Sequence, residues 1–260
     1  RRVLFRSVWF MQEYSEDYLL DKRVRIFQPL NGYRASTDAV ILSSLIARIK
    51  DGDAVLDVGS GTGAVALCLA ERFKTLRPKI TGLELQAELA ELSNMSAAAN
   101  GFDGFLTFVN ADIADKKNCP PPCAFSHVIT NPPYSEHDMP SPNPSKAFAH
   151  NGKNFSLSGW ISFCLKMLRP QGCFYMINRA EAITEILACL HGRMGAVRIV
   201  PLFSKPGQDA KRVIVAARKD SKAPTVICPG LTVHNSDGSY TPAAHKILRL
   251  GFSLEEALKP

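Results

Sequence analysis

Ala54-Val55-Leu56-Asp57-Val58-Gly59-Ser60-Gly61-Thr62-Gly63-Ala64 decides the architecture. Ala54–Val58 is apolar but for one acid, so it reads as a strand covered on both faces. Glycines at 59, 61 and 63 let the backbone turn sharply and approach a ligand closely. From Ala64 the apolar spacing becomes helical, to about Phe73. A strand that passes through a glycine turn into a helix aims backbone N–H groups at whatever sits on the helix N-terminus. The turn is therefore a nucleotide-site signal.

On either side the chain alternates. Thr37-Asp38 reads as the start of a helix over Ala39–Lys50, with Ile41, Leu42, Leu45, Ile46 and Ile49 on one face. Beyond the glycine turn the pattern predicts strands at Ile80–Leu85, Leu106–Val109, His127–Thr130 and Cys173–Asn178. Helices are expected at about Ala87–Ala99, at Leu157–Leu168 and at about Ala180–His191. Two β-rich runs, Val197–Phe203 and Val213–Ala217, are joined by Lys205-Pro206-Gly207-Gln208-Asp209-Ala210 as a hairpin. This is the α/β class: a doubly wound, mostly parallel seven-stranded sheet with a terminal antiparallel hairpin. Pro132 to about Asn154 holds five prolines and little periodicity, which predicts a functional or mobile loop.

With 260 residues, 46% of them hydrophobic and 21% charged, the chain has the makeup of a folded globular protein and excludes a disordered or fibrous one. No run approaches a membrane span, and Arg6 and Ser7 interrupt the short apolar stretch at the front, so a cytoplasmic location is expected without a membrane. Seven cysteines, mostly in apolar surroundings, fit a reducing compartment. The pair Cys119 and Cys123, separated by three prolines, lacks the second pair that a zinc site needs, so no metal is expected. The net charge is +7, yet residues 51–115 carry ten acids against four bases. The basic excess therefore lies in the flanks, at Lys22, Arg23, Arg25 and Arg34 and again at Lys205, Lys211, Arg212, Arg218, Lys219 and Lys222, where a polyanion could be held.

The candidate site residues follow the ends of the strands, where sheets of this class bind ligands. Asp57 precedes the glycine turn. Glu84 ends the next strand and can accept hydrogen bonds from both hydroxyls of a ribose, and Asp112, just past the third strand, can accept from an adenine amino group. Gly59-x-Gly61-x-x-Ala64 followed by Glu84 also satisfies the fingerprint of a nicotinamide-dependent oxidoreductase, so the turn alone leaves the cofactor open. The deciding group is Asn131-Pro132-Pro133-Tyr134 after the fourth strand. The Asn131 side-chain oxygen and the Pro132 carbonyl can accept both N–H bonds of a planar NH2 group, Pro133 stiffens the turn, and the Tyr134 ring can stack on a base.

In that order and spacing, Asp57–Gly63, Glu84, Asp112 and Asn131–Tyr134 resemble the four motifs of the class I S-adenosylmethionine-dependent methyltransferases, whose fold is Rossmann-like. The four-residue group resembles the amino-methylating branch, which acts on base or glutamine amide nitrogen. Within it, the opening Gln28–Ala39, Lys205-Pro206-Gly207 with Lys211-Arg212-Val213, and Leu231-Thr232-Val233-His234 with Tyr240-Thr241 are similar to the tRNA1(Val) adenine-N6-methyltransferase family. The resemblance spans about residues 25–220. It implies S-adenosyl-L-methionine as cofactor, bound by Asp57, Gly59, Gly61, Gly63, Glu84 and Asp112, with Arg34, Thr37 and Asp38 on its methionine side. It implies an adenine in RNA, foremost tRNA, as substrate. Lys205, Lys211 and Arg212 are the expected phosphate contacts.

Residues 1–24 are expected as an N-terminal extension whose first ten residues read as an appended sequence, and 221–260 as a C-terminal extension with a short helix. A monomer or homodimer is expected. Three other functions compete. A protein glutamine N5-methyltransferase shares the four-residue group, an oxidoreductase shares the glycine turn, and a non-enzymatic RNA-binding module could keep a vestigial pocket.

Overall fold

A computed structural model describes residues 13–32, 34–133 and 155–259 of the chain. A hairpin of β1 (Tyr14–Leu19) and β2 (Val24–Pro29) comes first and forms its own two-stranded sheet. Its turn runs through Leu20, Asp21 and Lys22, all at positive φ. Arg25 N donates to Asn100 Oδ1 at 2.9 Å and Phe27 N to Ser96 Oγ at 2.9 Å, which fastens β2 to the helix α3 (Ala87–Ala99). The periodicity of the sequence assigns no strand here, and β1 lies within the stretch expected as an extension.

The main sheet contains the seven expected strands: β3 (Ala54–Val58), β4 (Lys79–Glu84), β5 (Leu106–Asn110), β6 (Phe125–Thr130), β7 (Leu168–Arg179), β8 (Met194–Phe203) and β9 (Arg212–Lys219). Two-residue strands β10 (Val226–Ile227) and β11 (Leu231–Thr232) pair successively with β8, making nine among the described residues. The order is β10-β8-β9-β7-β6-β3-β4-β5. Strands β3 to β7 run parallel, and β9 is antiparallel to both β7 and β8, as expected for the terminal hairpin.

One face of the sheet is buried by α1 (Thr37–Ser43), α2 (Ala64–Arg72), α3 and the C-terminal α6 (Pro242–Leu248) and α7 (Leu254–Ala257). The other is buried by α4 (Leu157–Met167) and α5 (Ile183–Leu190), the latter preceded by a 3-10 turn at Ala180–Ala182. Among the described residues no helix is long and apolar enough to cross a membrane. All seven cysteines are free.

Helix α1 is shorter than the expected Ala39–Lys50. The hydroxyls of Ser43 and Ser44 bond back to Val40 O and Ile41 O at 2.7 and 2.6 Å, a competition that weakens a helix end. The carbonyls released are taken by distant donors, Ser43 O by Arg72 Nη1 and Ser44 O by Leu254 N. Strand β7 begins earlier than expected, directly where α4 stops.

Candidate active site

The carboxyl ends of β3, β4, β5, β6 and β7 share one edge. Because β9 runs the other way, its first residue, Arg212, lies at that edge opposite Arg179 of β7 and Leu202 of β8. The glycine turn, the exits of β4 and β5, the Asn131 group and the 204–211 hairpin therefore stand along one rim.

Gly59, Gly61 and Gly63 take φ of +71°, +56° and +79°, the left-handed region glycine tolerates without strain. The turn is bolted to β4: Gly59 N and Ser60 N both donate to Leu83 O at 2.9 Å, and Gly61 N donates to Glu84 Oε2 at 2.8 Å. The other Glu84 oxygen accepts from Gln86 N at 2.9 Å. Burial raises the Glu84 carboxyl above its usual value, and these N–H groups oppose the shift. Each oxygen keeps further lone-pair capacity for a ligand hydroxyl.

Asp57 is 1% exposed and neither of its oxygens has a hydrogen-bond partner; Ser60 Oγ and Thr62 Oγ1, on the turn itself, are also buried without one. Burial drives the Asp57 carboxyl up to about 7, and the charge of Glu84 adds to the rise. The Ala66 N–H pulls the other way without closing a hydrogen bond. Buried polar atoms lacking partners are costly, and a ligand bearing an ammonium and hydroxyls would relieve them. S-adenosyl-L-methionine carries both, so the residues fit it.

Asp112 sits past β5 in a tight turn, its Oδ1 accepting from Ala114 N at 2.8 Å. Asn131 is half-buried, Pro132 buried and Pro133 exposed, directly after β6. Val58 pairs with Thr130 in the parallel register, so Gly59 and Asn131 leave the sheet side by side. Tyr134 lies outside the described residues, as does the rest of the proline-rich stretch to 154.

Most of the other expected residues have partners within the protein. The Arg34 guanidinium is held by the β1–β2 hairpin, 2.7 Å from Asp17 Oδ2, 3.0 Å from Ser15 Oγ and 3.2 Å from Pro29 O. Thr37 opens α1. Asp38 is buried and its carboxyl is raised by burial, against the pull of Arg212, whose Nη1 is its partner. Arg212 thus has a buried carboxylate to neutralise, a task that its place in the sequence does not reveal. Lys205 reaches Ser236 O at 3.1 Å and Lys211 is exposed.

Sequence reasoning missed three contributors. The Phe108 ring fills the space beside Gly63 and Gly82, where an added Cβ would come within 2.6 and 2.3 Å of it. Thr130 and Trp160 hydrogen-bond beside the Asn131 group. All three sit in ordinary apolar patterns, and nothing in their spacing separates them from core.

The family model for the methyltransferase small domain matches residues 36–198. A Porphyromonas gingivalis tRNA1(Val) (adenine(37)-N6)-methyltransferase is 26% identical, covering 85% of this chain and 89% of the relative. A Shewanella baltica protein of the same description is 28% identical over 84% and 91%. Among solved structures, a predicted O-methyltransferase from Agrobacterium tumefaciens superposes with a TM-score of 0.66 at 27% identity, covering 80% of this chain and 94% of that one. An S-adenosylmethionine-dependent O-methyltransferase from Thermotoga maritima, at 0.52 and 16% over 74% and 68%, shares the fold.

Proposed function

Because this chain belongs to the methyltransferase small domain family, we propose that it methylates N6 of an adenine in tRNA, the activity named for its relatives. The chain is an S-adenosyl-L-methionine-dependent enzyme of the α/β class I fold, and the oxidoreductase reading of its glycine turn falls away with that membership. The observation that carries the proposal is the pairing of Val58 with Thr130, which sets the glycine turn and Asn131-Pro132 next to each other.

When bound, the cofactor supplies an electrophilic methyl group on a sulfonium. Asp57, with the turn from Gly59 to Gly63, would hold its amino-acid end, Glu84 its ribose and Asp112 its adenine. Asn131 and Pro132 do the chain's share of the chemistry. An aromatic amine is a poor nucleophile because its lone pair is delocalised into the ring. Two acceptors, the Asn131 side-chain oxygen and the Pro132 carbonyl, grip its two N–H bonds, raise the electron density on nitrogen and fix its direction. No strong base is required, since the nitrogen becomes acidic once alkylated. Tyr134 is assigned the face of the base.

A base in an RNA loop is already partly unstacked, so presenting it costs less than extruding one from a duplex. We assign methyl transfer to residues 25–220, in a cytoplasmic protein acting as a monomer or homodimer without a metal. The free thiols support a reducing compartment.

Incubation with labelled cofactor and either total tRNA or release factors tests the substrate. N6-methyladenosine in tRNA is expected from the parent. Asn131→Ala should lose on the order of a hundredfold or more in kcat while keeping its affinity for S-adenosylhomocysteine. Equal product from the two proteins removes Asn131 from the reaction, and label in a protein glutamine overturns the RNA assignment.

A further inference from the structure

One side chain outside every motif touches both halves of the site. Thr130, fully buried at the end of β6, donates its hydroxyl to Val58 O at 2.8 Å and accepts from Trp160 Nε1 at 2.8 Å. The direction of this chain is fixed, because an indole N–H only donates and a carbonyl only accepts. Val58 immediately precedes the glycine turn and Thr130 immediately precedes Asn131. The six-membered edge of the same indole presses on the turn: a Cβ placed on Gly59 would lie 2.8 Å from Trp160 Cζ2 and 2.9 Å from Cη2. Phe155 packs outside it, ring centroids 6.4 Å apart.

Trp160 comes from α4, an element that supplies no residue to either motif. If its role were only to fill the core, the ring would suffice and its N–H would find any acceptor. Instead the N–H completes a hydroxyl that ties β6 to β3 at their exits, while the ring limits how far the turn can rise.

We propose that Trp160 is the positioning residue that sets the cofactor turn against Asn131-Pro132, acting through Thr130 and through contact with Gly59. This rests on the methyl-transfer reading above. With no general base in use, transfer depends on alignment, and a displacement of about 1 Å is enough to cost about a hundredfold. The residue touches neither reactant in this role, so its loss should appear in kcat before it appears in tRNA binding.

The test uses full-length W160F, T130V, T130S, the W160F/T130V double variant and W160A, with kcat and KM for tRNA, and S-adenosylhomocysteine affinity by calorimetry. W160F keeps an aromatic ring in the packing but loses both the N–H and the outer edge that meets Gly59; T130V keeps the shape and loses only the hydroxyl. T130V should lower kcat about tenfold with KM and cofactor-product affinity within about twofold, and W160F should lower kcat at least as much with KM for tRNA within about twofold. The double variant should be no worse than W160F alone, because T130V breaks a chain that W160F has already broken. T130S should recover most of the activity that T130V loses. W160A, which also frees Gly59, should weaken S-adenosylhomocysteine binding about tenfold.

Parent-like kcat in W160F and T130V, or losses that multiply in the double variant, overturns the proposal. Should W160A fail to fold, W160F and T130V still decide. If the parent binds S-adenosylhomocysteine yet methylates no RNA, the substrate assignment fails by itself. The W160A affinity then decides the positioning role, which a tenfold loss supports and an unchanged value overturns.

Discussion

At Asp57 the protein holds a carboxylate out of water with no donor on either oxygen, and the cost of doing so depends on pH. Its folded value of about 7 lies above the ordinary 3.8, so between those values the folded state binds more protons than the unfolded one. Stability from this group is present in full below about 4 and is lost as pH rises through about 7. Asp57→Asn removes the titration, so the difference between variant and parent in urea unfolding should move in the variant's favour from pH 5 to pH 8. Buried His127, held below its usual value by desolvation, acts in the opposite direction, and the comparison cancels it. An ammonium-bearing ligand needs the ionised form. Affinity of the parent for S-adenosylhomocysteine should therefore climb from pH 6 to pH 8, and that climb should vanish in the variant; a flat profile in the parent would mean Asp57 does not meet the ligand. Gly59 makes a second demand. Gly59→Ala would add a left-handed non-glycine residue and push its Cβ into the Trp160 ring, so cofactor-product binding should weaken by about tenfold or more, as calorimetry would register.

Between elements, the C-terminal segment is held to the methyltransferase core by hydrogen bonds as well as by apolar packing. Arg72, near the end of α2, sends Nε to Gly251 O at 3.0 Å and Nη1 to Ser43 O at 2.6 Å, joining α1, α2 and the approach to α7. Ser253 and Glu256 close a capping box on α7, and Leu254 N bonds Ser44 O. Arg72→Ala strips two charge-assisted, part-buried bonds from the carbonyls of Gly251 and Ser43 and should cost on the order of 2–4 kcal/mol of unfolding free energy. Lys74→Ala, which removes an exposed partner of Glu71, should cost less than about 1 kcal/mol. Equal midpoints for the two variants would mean that the C-terminal segment is held by its apolar contacts alone. The same bonds show what the sequence could reveal. Strands β3 to β9 and helix α3 are legible because periodicity is local. The end of α1 is not, since the donors that claim its last carbonyls come from α2 and from the far C-terminus. For the same reason the turn and Glu84 could be read from spacing, whereas the bond from Trp160 to Thr130 exists only once α4 has packed on the sheet.

For the molecule as a whole, charge is divided by position along one rim. The acidic stretch 51–115 carries the glycine turn, Glu84 and Asp112, and the antiparallel reversal of β9 brings the 204–211 hairpin, with Lys205 and Lys211, to that same edge. The turn after β11 joins it: His234 stacks on Tyr240 with centroids 5.1 Å apart, and Lys205 spans to Ser236. A backbone phosphate arriving beside Asn131 would thus meet lysines, while the base faces the acceptors. Arg212 is a different matter. Its guanidinium neutralises Asp38, so removing it leaves a buried acid unpartnered and lowers stability before it touches RNA binding. The double change Lys205→Ala, Lys211→Ala therefore isolates the electrostatic contribution. Each phosphate released from a single-stranded segment is worth about 0.7 in the slope of log K against log salt, so the double variant's slope should fall by about 1.4 in magnitude. Filter binding of tRNA over a range of salt concentrations reads this directly. A slope equal to the parent's would place the RNA backbone away from the hairpin, and the flank around Lys22 and Arg25 would be the next surface to test.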